Sequence, residues 1–304
     1  MIFKLRTLAV TGIGLLLAGT VAAQDLEPRS FSQAPVGMNF GVLSFSNASG
    51  DVLFDQAVPI TKATGRVNSL LAGYVRTLDF FGVSAKFKAF LPYSWGYWSG
   101  LLDGAFVDTN REGFSDPRVE LSVNFLGAPA IKMSEMRTYA QNTVVGASLR
   151  VVVPLGQYYP EKLMNLGQNR WAFRPRVGVS HKAMGWTLEA IADVWLYTEN
   201  PDFFGGAKVT QDPLWSAQGN LIHQSRSGVW LGAGIGLSRG GKVASDGVYG
   251  DTYKKSTRWG LIISYPLDRV HTVNVMYING LRARLGADFD QISLSYQIRW
   301  GGVQ

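Results

Sequence analysis

Val83-Ser84-Ala85-Lys86-Phe87-Lys88-Ala89-Phe90-Leu91-Pro92-Tyr93-Ser94-Trp95 carries an apolar residue at every odd position and polar or small residues at most even ones. A period of two sends alternate side chains to opposite faces of a pleated strand. Ile292, Leu294, Tyr296, Ile298 and Trp300 repeat the pattern against Ser293, Ser295, Gln297 and Arg299. Val119 to Phe125 alternates with Arg118, Glu120, Ser122 and Asn124, Trp171 to Val179 with Arg174 and Arg176, and Trp186 to Leu196 with Glu189 and Asp193. From Val36 onward the apolar period is two, and the chain reads as about twelve strands: 36–46, 66–79, 82–95, 115–126, 142–155, 171–182, 185–197, 212–225, 228–239, 256–267, 270–279 and 288–300.

The connections alternate between short and long. Phe80-Phe81, Ala183-Met184, Arg226-Ser227 and Asp268-Arg269 are short; 47–65, 96–114, 156–170, 198–211, 240–255 and the moderate 280–287 are long. Bacterial outer-membrane barrels have an even strand number, tight periplasmic turns and longer external loops, which puts both termini in the periplasm. Segment 127–141 breaks the rule, being long where a tight turn is expected; a short periplasmic helix around Lys132 to Arg137 accommodates it.

A soluble β-sandwich would show the same alternation, but its strands average only about 5–6 residues. Here most run to ten or more, the length a tilted strand needs to cross a bilayer. Trp95, Trp171, Trp186, Trp195, Trp215, Trp230, Trp259 and Trp300 lie near strand ends, with Trp98 just beyond one. Indole favours the membrane–water interface because its ring is apolar and its N–H is wet. The expected fold is therefore all-β: a transmembrane antiparallel up-and-down β-barrel in the bacterial outer membrane, dependent on outer-membrane lipid and the barrel-assembly machinery.

The first residues agree with export. Lys4 and Arg6 precede an apolar run from Leu8 to Leu17 and a small-residue stretch ending Val21-Ala22-Ala23, the pattern of a cleaved signal peptide. The expected organisation is a signal peptide over 1–23, a periplasmic N-terminal segment over 24–35 and a barrel over 36–304. Losing Lys4 and Arg6 lowers the formal charge from +7 to +5. The remaining basic residues are scattered singly, so no nucleic-acid partner is expected. With no cysteine, disulfides, thiolate metal sites and a Cys nucleophile are excluded.

Several stretches carry a resemblance. They include Leu26-Glu27-Pro28-Arg29, Ala34-Pro35-Val36-Gly37, Ser49-Gly50-Asp51-Val52-Leu53-Phe54, Leu91-Pro92-Tyr93-Ser94-Trp95-Gly96 and Ser115-Asp116-Pro117-Arg118. Further on are Gly127-Ala128-Pro129-Ala130, Val153-Pro154-Leu155-Gly156-Gln157-Tyr158, Asn165-Leu166-Gly167, Asn169-Arg170-Trp171-Ala172-Phe173, Phe203-Phe204-Gly205-Gly206 and Gly286-Ala287-Asp288-Phe289-Asp290. Together they cover essentially the whole mature chain, which resembles the outer-membrane transporter family of the meta-pathway of phenol degradation. The resemblance implies a link to aromatic catabolism and supplies no catalytic motif.

The residues themselves offer little for catalysis. His181, His223 and His271 fall on three different strands, there is no G-x-S-x-G, and Gly232, Gly234 and Gly236 sit inside a strand without nucleotide-loop spacing. No enzyme activity, metal or cofactor is expected. Arg or Lys facing lipid near mid-depth would cost roughly 2–4 kcal/mol each. That parity sends Lys86, Lys88, Arg118, Glu120, Arg150, Arg174, Arg176, Glu189, Asp193 and Arg299 into the lumen, either as a space-filling ion-pair network or as a net-basic selectivity path. Trp195, Tyr197 and Trp230 share the inward parity and are candidates for aromatic solute contacts. Segment 24–35 reads equally as a plug in the periplasmic mouth or as a tail. The function expected is passive passage of small organic solutes, with a plugged structural or adhesive barrel and a lipid-modifying enzyme as alternatives.

Overall fold

The computed structural model describes residues 26–53, 60–283 and 286–302; the expected signal peptide lies outside them. In chain order the strands are β1 (Met38–Leu53), β2 (Ile60–Phe80), β3 (Val83–Leu102), β4 (Ala105–Phe114), β5 (Arg118–Leu126) and β6 (Thr143–Val152). Then come β7 (Ala172–Ala183), β8 (Trp186–Tyr197), β9 (Asn200–Phe203), β10 (Ala207–Gln211), β11 (Leu214–Gln224) and β12 (Trp230–Gly240). The last are β13 (Val243–Ser245), β14 (Val248–Tyr249), β15 (Lys254–Pro266), β16 (His271–Ala283) and β17 (Gly286–Gly301).

Each barrel strand pairs antiparallel with its neighbour, and β1 pairs with β17 from Met38↔Gly301 to Leu53↔Gly286, which closes the cylinder. β4 pairs with the outer half of β3 and β5 with its inner half, so these two make one stave interrupted at Ser115-Asp116-Pro117. The result is a closed 12-strand antiparallel barrel. Closure leaves no unpaired strand edge facing lipid, the condition for a sheet to span hydrocarbon.

At the periplasmic end Phe81-Gly82 and Met184-Gly185 make two-residue turns with positive φ at both positions (53° and 85°, 49° and 81°). Such turns match the twist of the strands they join, and glycine reaches the second position without strain. The longer 127–142 connection holds a single 3-10 turn, Glu135–Arg137, within the stretch where a short helix is expected, and Pro129 bridges to Val83. At the other end β1, β2, β3, β16 and β17 run past the expected boundaries. The residues beyond those boundaries, Asn47 to Leu53 among them, lack the greasy alternate face that marks the rest. Connections 198–211 and 240–255, expected as loops, hold β9, β10, β13 and β14 in a separate four-stranded sheet. Phe203, Val209 and Val243 form its core.

Side-chain exposure follows the parity. Leu43, Phe45, Leu91, Leu121, Leu149, Leu188, Leu221, Leu261 and Leu294 are 41–61% exposed on the outer face. Glu120, Arg150, Arg174, Arg176, Glu189 and Asp193 are buried inside. An apolar belt on a barrel with a charged interior fits only a bilayer, and the protein resides in the bacterial outer membrane. Exchanging Leu121 or Leu294 for Arg should destabilise the barrel by roughly 2–4 kcal/mol each in urea unfolding from liposomes. The change Ser122→Arg, on the opposite parity, should not show this lipid-depth cost.

Candidate functional site

The lumen is filled from the periplasmic side by the chain's own N-terminal segment. Val36 N–H donates to Ile131 O (2.9 Å), and Thr77 Oγ1 donates to Pro35 O (2.5 Å), fixing the segment where it enters. From there it climbs the interior to Leu26. Phe31, 1% exposed, packs with Ala128, Val144 and Ile191. A Cβ at Gly146 or Gly178 would come within 2.4 or 2.3 Å of its ring, so those two glycines make the slot. Leu26 seats in the same way on β12 and β15, where a Cβ at Gly260 would lie 2.9 Å from Leu26 Cδ1 and one at Gly236 3.1 Å from Cδ2.

Between these two apolar anchors stands Glu27. Its carboxylate pairs with Arg150 (2.8 Å), Arg176 (2.8 Å) and, more loosely, Arg174 (3.5 Å). Arg150 also pairs with Glu120 (2.6 Å), Glu120 with Lys88 (2.7 Å), and Arg174 clasps Asp193 through two 2.9 Å hydrogen bonds. The Arg29 N–H donates to Glu189 (2.7 Å), and Lys86 Nζ donates to Ser30 O (3.3 Å). Burial raises the Glu27 carboxyl, but Arg150, Arg176 and Arg174 outweigh it and hold the group well below the ordinary carboxylate range.

Eight of the ten charged residues expected in the lumen thus meet in one place: Lys86, Lys88, Glu120, Arg150, Arg174, Arg176, Glu189 and Asp193. Arg299 does not join them; it is exposed at the periplasmic end, its Nε donating to Arg269 O. Arg118 stands apart on β5, its guanidinium 5.5 Å from the centre of the Phe90 ring. Trp230 lies under the Arg29 guanidinium at 5.3 Å, so its face meets the segment. Trp195 and Tyr197 stack at 6.3 Å higher up, where the lumen opens.

Above Glu27 the barrel encloses a cavity of about 410 Å³, within the ~300–1,000 Å³ common for small-ligand sites. Its floor is Leu26 and Glu27, and its roof is the inward-folded segment 153–171 through Met164, Leu166, Gln168 and Arg170. Asp116 ties that roof down, accepting the N–H groups of Gly156 (2.9 Å) and Gln168 (2.8 Å). Arg111 Nε donates to Met164 O (2.7 Å), which turns Met164 onto Ala48, Val52, Ala287 and Phe289. One wall is apolar and hydroxylic, with Val42, Ser44, Val67, Ser69, Leu71 and Phe289; the other carries Arg118, Arg150, Trp195 and Tyr197.

Sequence reasoning missed Glu27, Arg170 and Lys254. Glu27 and Arg170 lie outside any strand, where parity is silent, and Lys254 opens a strand two residues before the expected start. The signal for Glu27 was a lone carboxylate in a short segment ahead of a barrel with surplus inward cations. The histidines are scattered over the sheet. His181 bonds Thr143 (2.8 Å), His223 packs on Trp186, and His271 meets Tyr296.

The chain superposes on an outer membrane channel from Pseudomonas putida F1 with a TM-score of 0.77 at 19% identity, covering 91% of this chain and 100% of that one. The β domain of the Bordetella autotransporter BrkA gives 0.49 at 12% identity, covering 87% and 100% of the two chains. The transport unit of the autotransporter AIDA-I from Escherichia coli gives 0.49 at 9%, covering 93% and 95%. No curated protein matches the chain in sequence. The model of the family described as "Putative MetA-pathway of phenol degradation" matches residues 46–296, and the chain belongs to that family.

Proposed function

We propose that the protein is an outer-membrane channel for passive passage of small organic solutes, aromatic ones among them, gated by its N-terminal segment. The observation that carries this reading is the amphipathic cavity of about 410 Å³ with an extended segment for its floor. A barrel sealed by its own wall side chains would need no such floor. Here one strip of chain closes the path, and taking it away leaves a lumen lined by the basic residues Lys86, Lys88, Arg150, Arg174 and Arg176. Membership of a family named for phenol degradation supports aromatic solutes, as do the rings of Trp195, Tyr197, Phe289 and Phe90 around the cavity. The two-anchor fit of the segment favours a second reading, a permanently plugged scaffold, and conductance separates the two.

Planar-bilayer recording tests this directly. Deleting residues 26–35 should convert a low, flickering conductance into a steady one; a deletion variant that folds but conducts no better than the full chain would establish the scaffold. Glu27→Ala should act in the same direction. It leaves Arg150, Arg174 and Arg176 without their shared counter-charge, at a cost of about 2 kcal/mol or more. That is below the ~3–5 kcal/mol of a fully buried pair, because Glu27 keeps 21% side-chain exposure.

The lock should not be pH-sensitive in the ordinary range. A carboxyl depressed in the docked state stabilises docking above its ordinary pKa and loses that contribution only as pH falls through the depressed value. The ratio of Glu27→Ala to parent conductance should therefore be the same at about pH 7.5 and about pH 5.5; a ratio that falls toward one on acidification would show that the arginines do not hold Glu27 charged. A steric test needs no charge. Gly178→Val places a branched side chain where the Phe31 ring sits, so the segment should become protease-sensitive while the barrel keeps its heat-modifiable gel migration.

A further inference from the structure

The outer end of the cavity has donors and no acceptors to meet them. The sheet register sets Trp195 beside Leu214, Leu214 beside Gly240, and Gly240 beside Lys254 in one row across β8, β11, β12 and β15. Trp195 is 2% exposed, and its Nε1–H has no hydrogen-bond partner among the described residues. Arg170, 3% exposed, lies 4.3 Å over the Tyr197 ring and spends Nη2 on Gln211 Oε1 (2.6 Å). Its Nε and Nη1 have no partner among the described residues. Lys254 lines the same cavity, and its ammonium forms no ion pair or hydrogen bond with any described residue.

The carboxylates that reach the cavity are already engaged. Asp116 holds the N–H groups of Gly156 and Gln168, and Glu27 is shared by three arginines. A buried donor left without an acceptor costs free energy, more so when it is charged. The buried, unpartnered donors of Trp195 and Arg170, with the half-buried Lys254 ammonium beside the same space, select for a compact anion with several acceptor oxygens. The rest of the cavity is apolar, with Trp98, Met164 and Phe289 facing that end from across the space.

We infer that Lys254, Arg170 and Trp195 form a carboxylate-binding subsite for a small aromatic or alicyclic monocarboxylate whose apolar body lies against Phe289 and Met164. The inference deepens the channel reading, on which its purpose rests, by naming the class of solute held. The carboxylate sits between the ammonium and the guanidinium edge and accepts from the indole N–H, and the ring fills the space below.

Calorimetric titration of the detergent-solubilised full-length protein with benzoate and with benzyl alcohol is the test. Benzoate should saturate one site and bind roughly tenfold or more tightly than the uncharged alcohol, the margin expected of charge-assisted hydrogen bonds. Lys254→Met should weaken benzoate by roughly tenfold and leave the alcohol unchanged, while Lys254→Arg keeps most of the affinity. Arg170→Met should act alike, and because Arg170 belongs to the inward-folded segment, the Lys254 pair is the decisive one. No benzoate binding, equal binding of acid and alcohol, or a Lys254→Met variant that matches the parent would overturn the subsite. Benzoate binding that persists in a protein with no conductance, plugged or unplugged, would end the channel reading and leave the subsite standing.

Discussion

Hydrocarbon cannot solvate charge, and everything inside the barrel follows from that. The outward half of each spanning strand must be apolar, so the ionisable side chains of the staves are driven to the ends or the interior. Along β3, β5, β6, β7 and β8 this gathers Lys86, Lys88, Arg150, Arg174 and Arg176 against Glu120, Glu189 and Asp193. Five cations face three carboxylates, and the excess sits in a partly water-excluded space where like charges repel more strongly than in bulk water. The wall is electrostatically incomplete by itself. Glu27 completes it at the point of greatest excess, where Arg150, Arg174 and Arg176 converge.

Charge alone would hold the segment loosely, and shape does the rest. Twelve staves enclose more space than their own side chains fill, unlike a barrel of eight. Gly146 and Gly178 give up their side-chain volume to Phe31, and Gly236 and Gly260 give up theirs to Leu26. One extended segment then fits where two layers of wall residues would otherwise have had to meet. Because each anchor lies on a different part of the wall, Phe31 on β6 and β7 and Leu26 on β12 and β15, the segment braces the cylinder across its diameter. Glu27 is held between them, which is why its geometry is definite enough to satisfy three guanidinium groups at once.

The barrel was readable because its selection rule is a period. Every spanning strand repeats the same two-way choice between lipid and lumen, so Phe87 against Lys88, or Leu121 against Glu120, can be assigned without knowing any contact. The projecting parts of β1 and β2 were not readable, since residues such as Asn47, Ser49 and Thr64 extend past the lipid belt and no lipid imposes a greasy side. The inward parity of Trp195, Tyr197 and Trp230 was also readable, but what each ring touches was not. Trp230 meets Arg29 and Trp195 meets Arg174 and the outer cavity, and both outcomes turn on a segment and a loop that obey no period. Segment 24–35 illustrates the same limit: nothing in Leu26-Glu27-Pro28-Arg29 distinguishes a plug from a tail until the surplus of arginines opposite it is counted in three dimensions.

The two halves of the lumen therefore differ in more than width. In the periplasmic half nearly every ionic group has a partner of opposite sign, so that half resists rearrangement and offers little to a passing solute. In the outer half Trp195 Nε1, Arg170 Nε and Nη1 and the Lys254 ammonium have no acceptor among the described residues, and stability alone gives no reason to keep them so, since a buried donor without an acceptor costs free energy. Arg150 joins the two halves, because it lines the outer cavity and also holds Glu27. An anionic solute that reaches the cavity floor presents Arg150 with the same functional group that Glu27 does. By linkage, any solute that binds Arg150 more tightly when Glu27 is absent shifts the balance toward the undocked segment by that difference in affinity and no more. A carboxylate on both sides of one arginine is thus enough to couple occupancy to opening, with no nucleotide or second domain required.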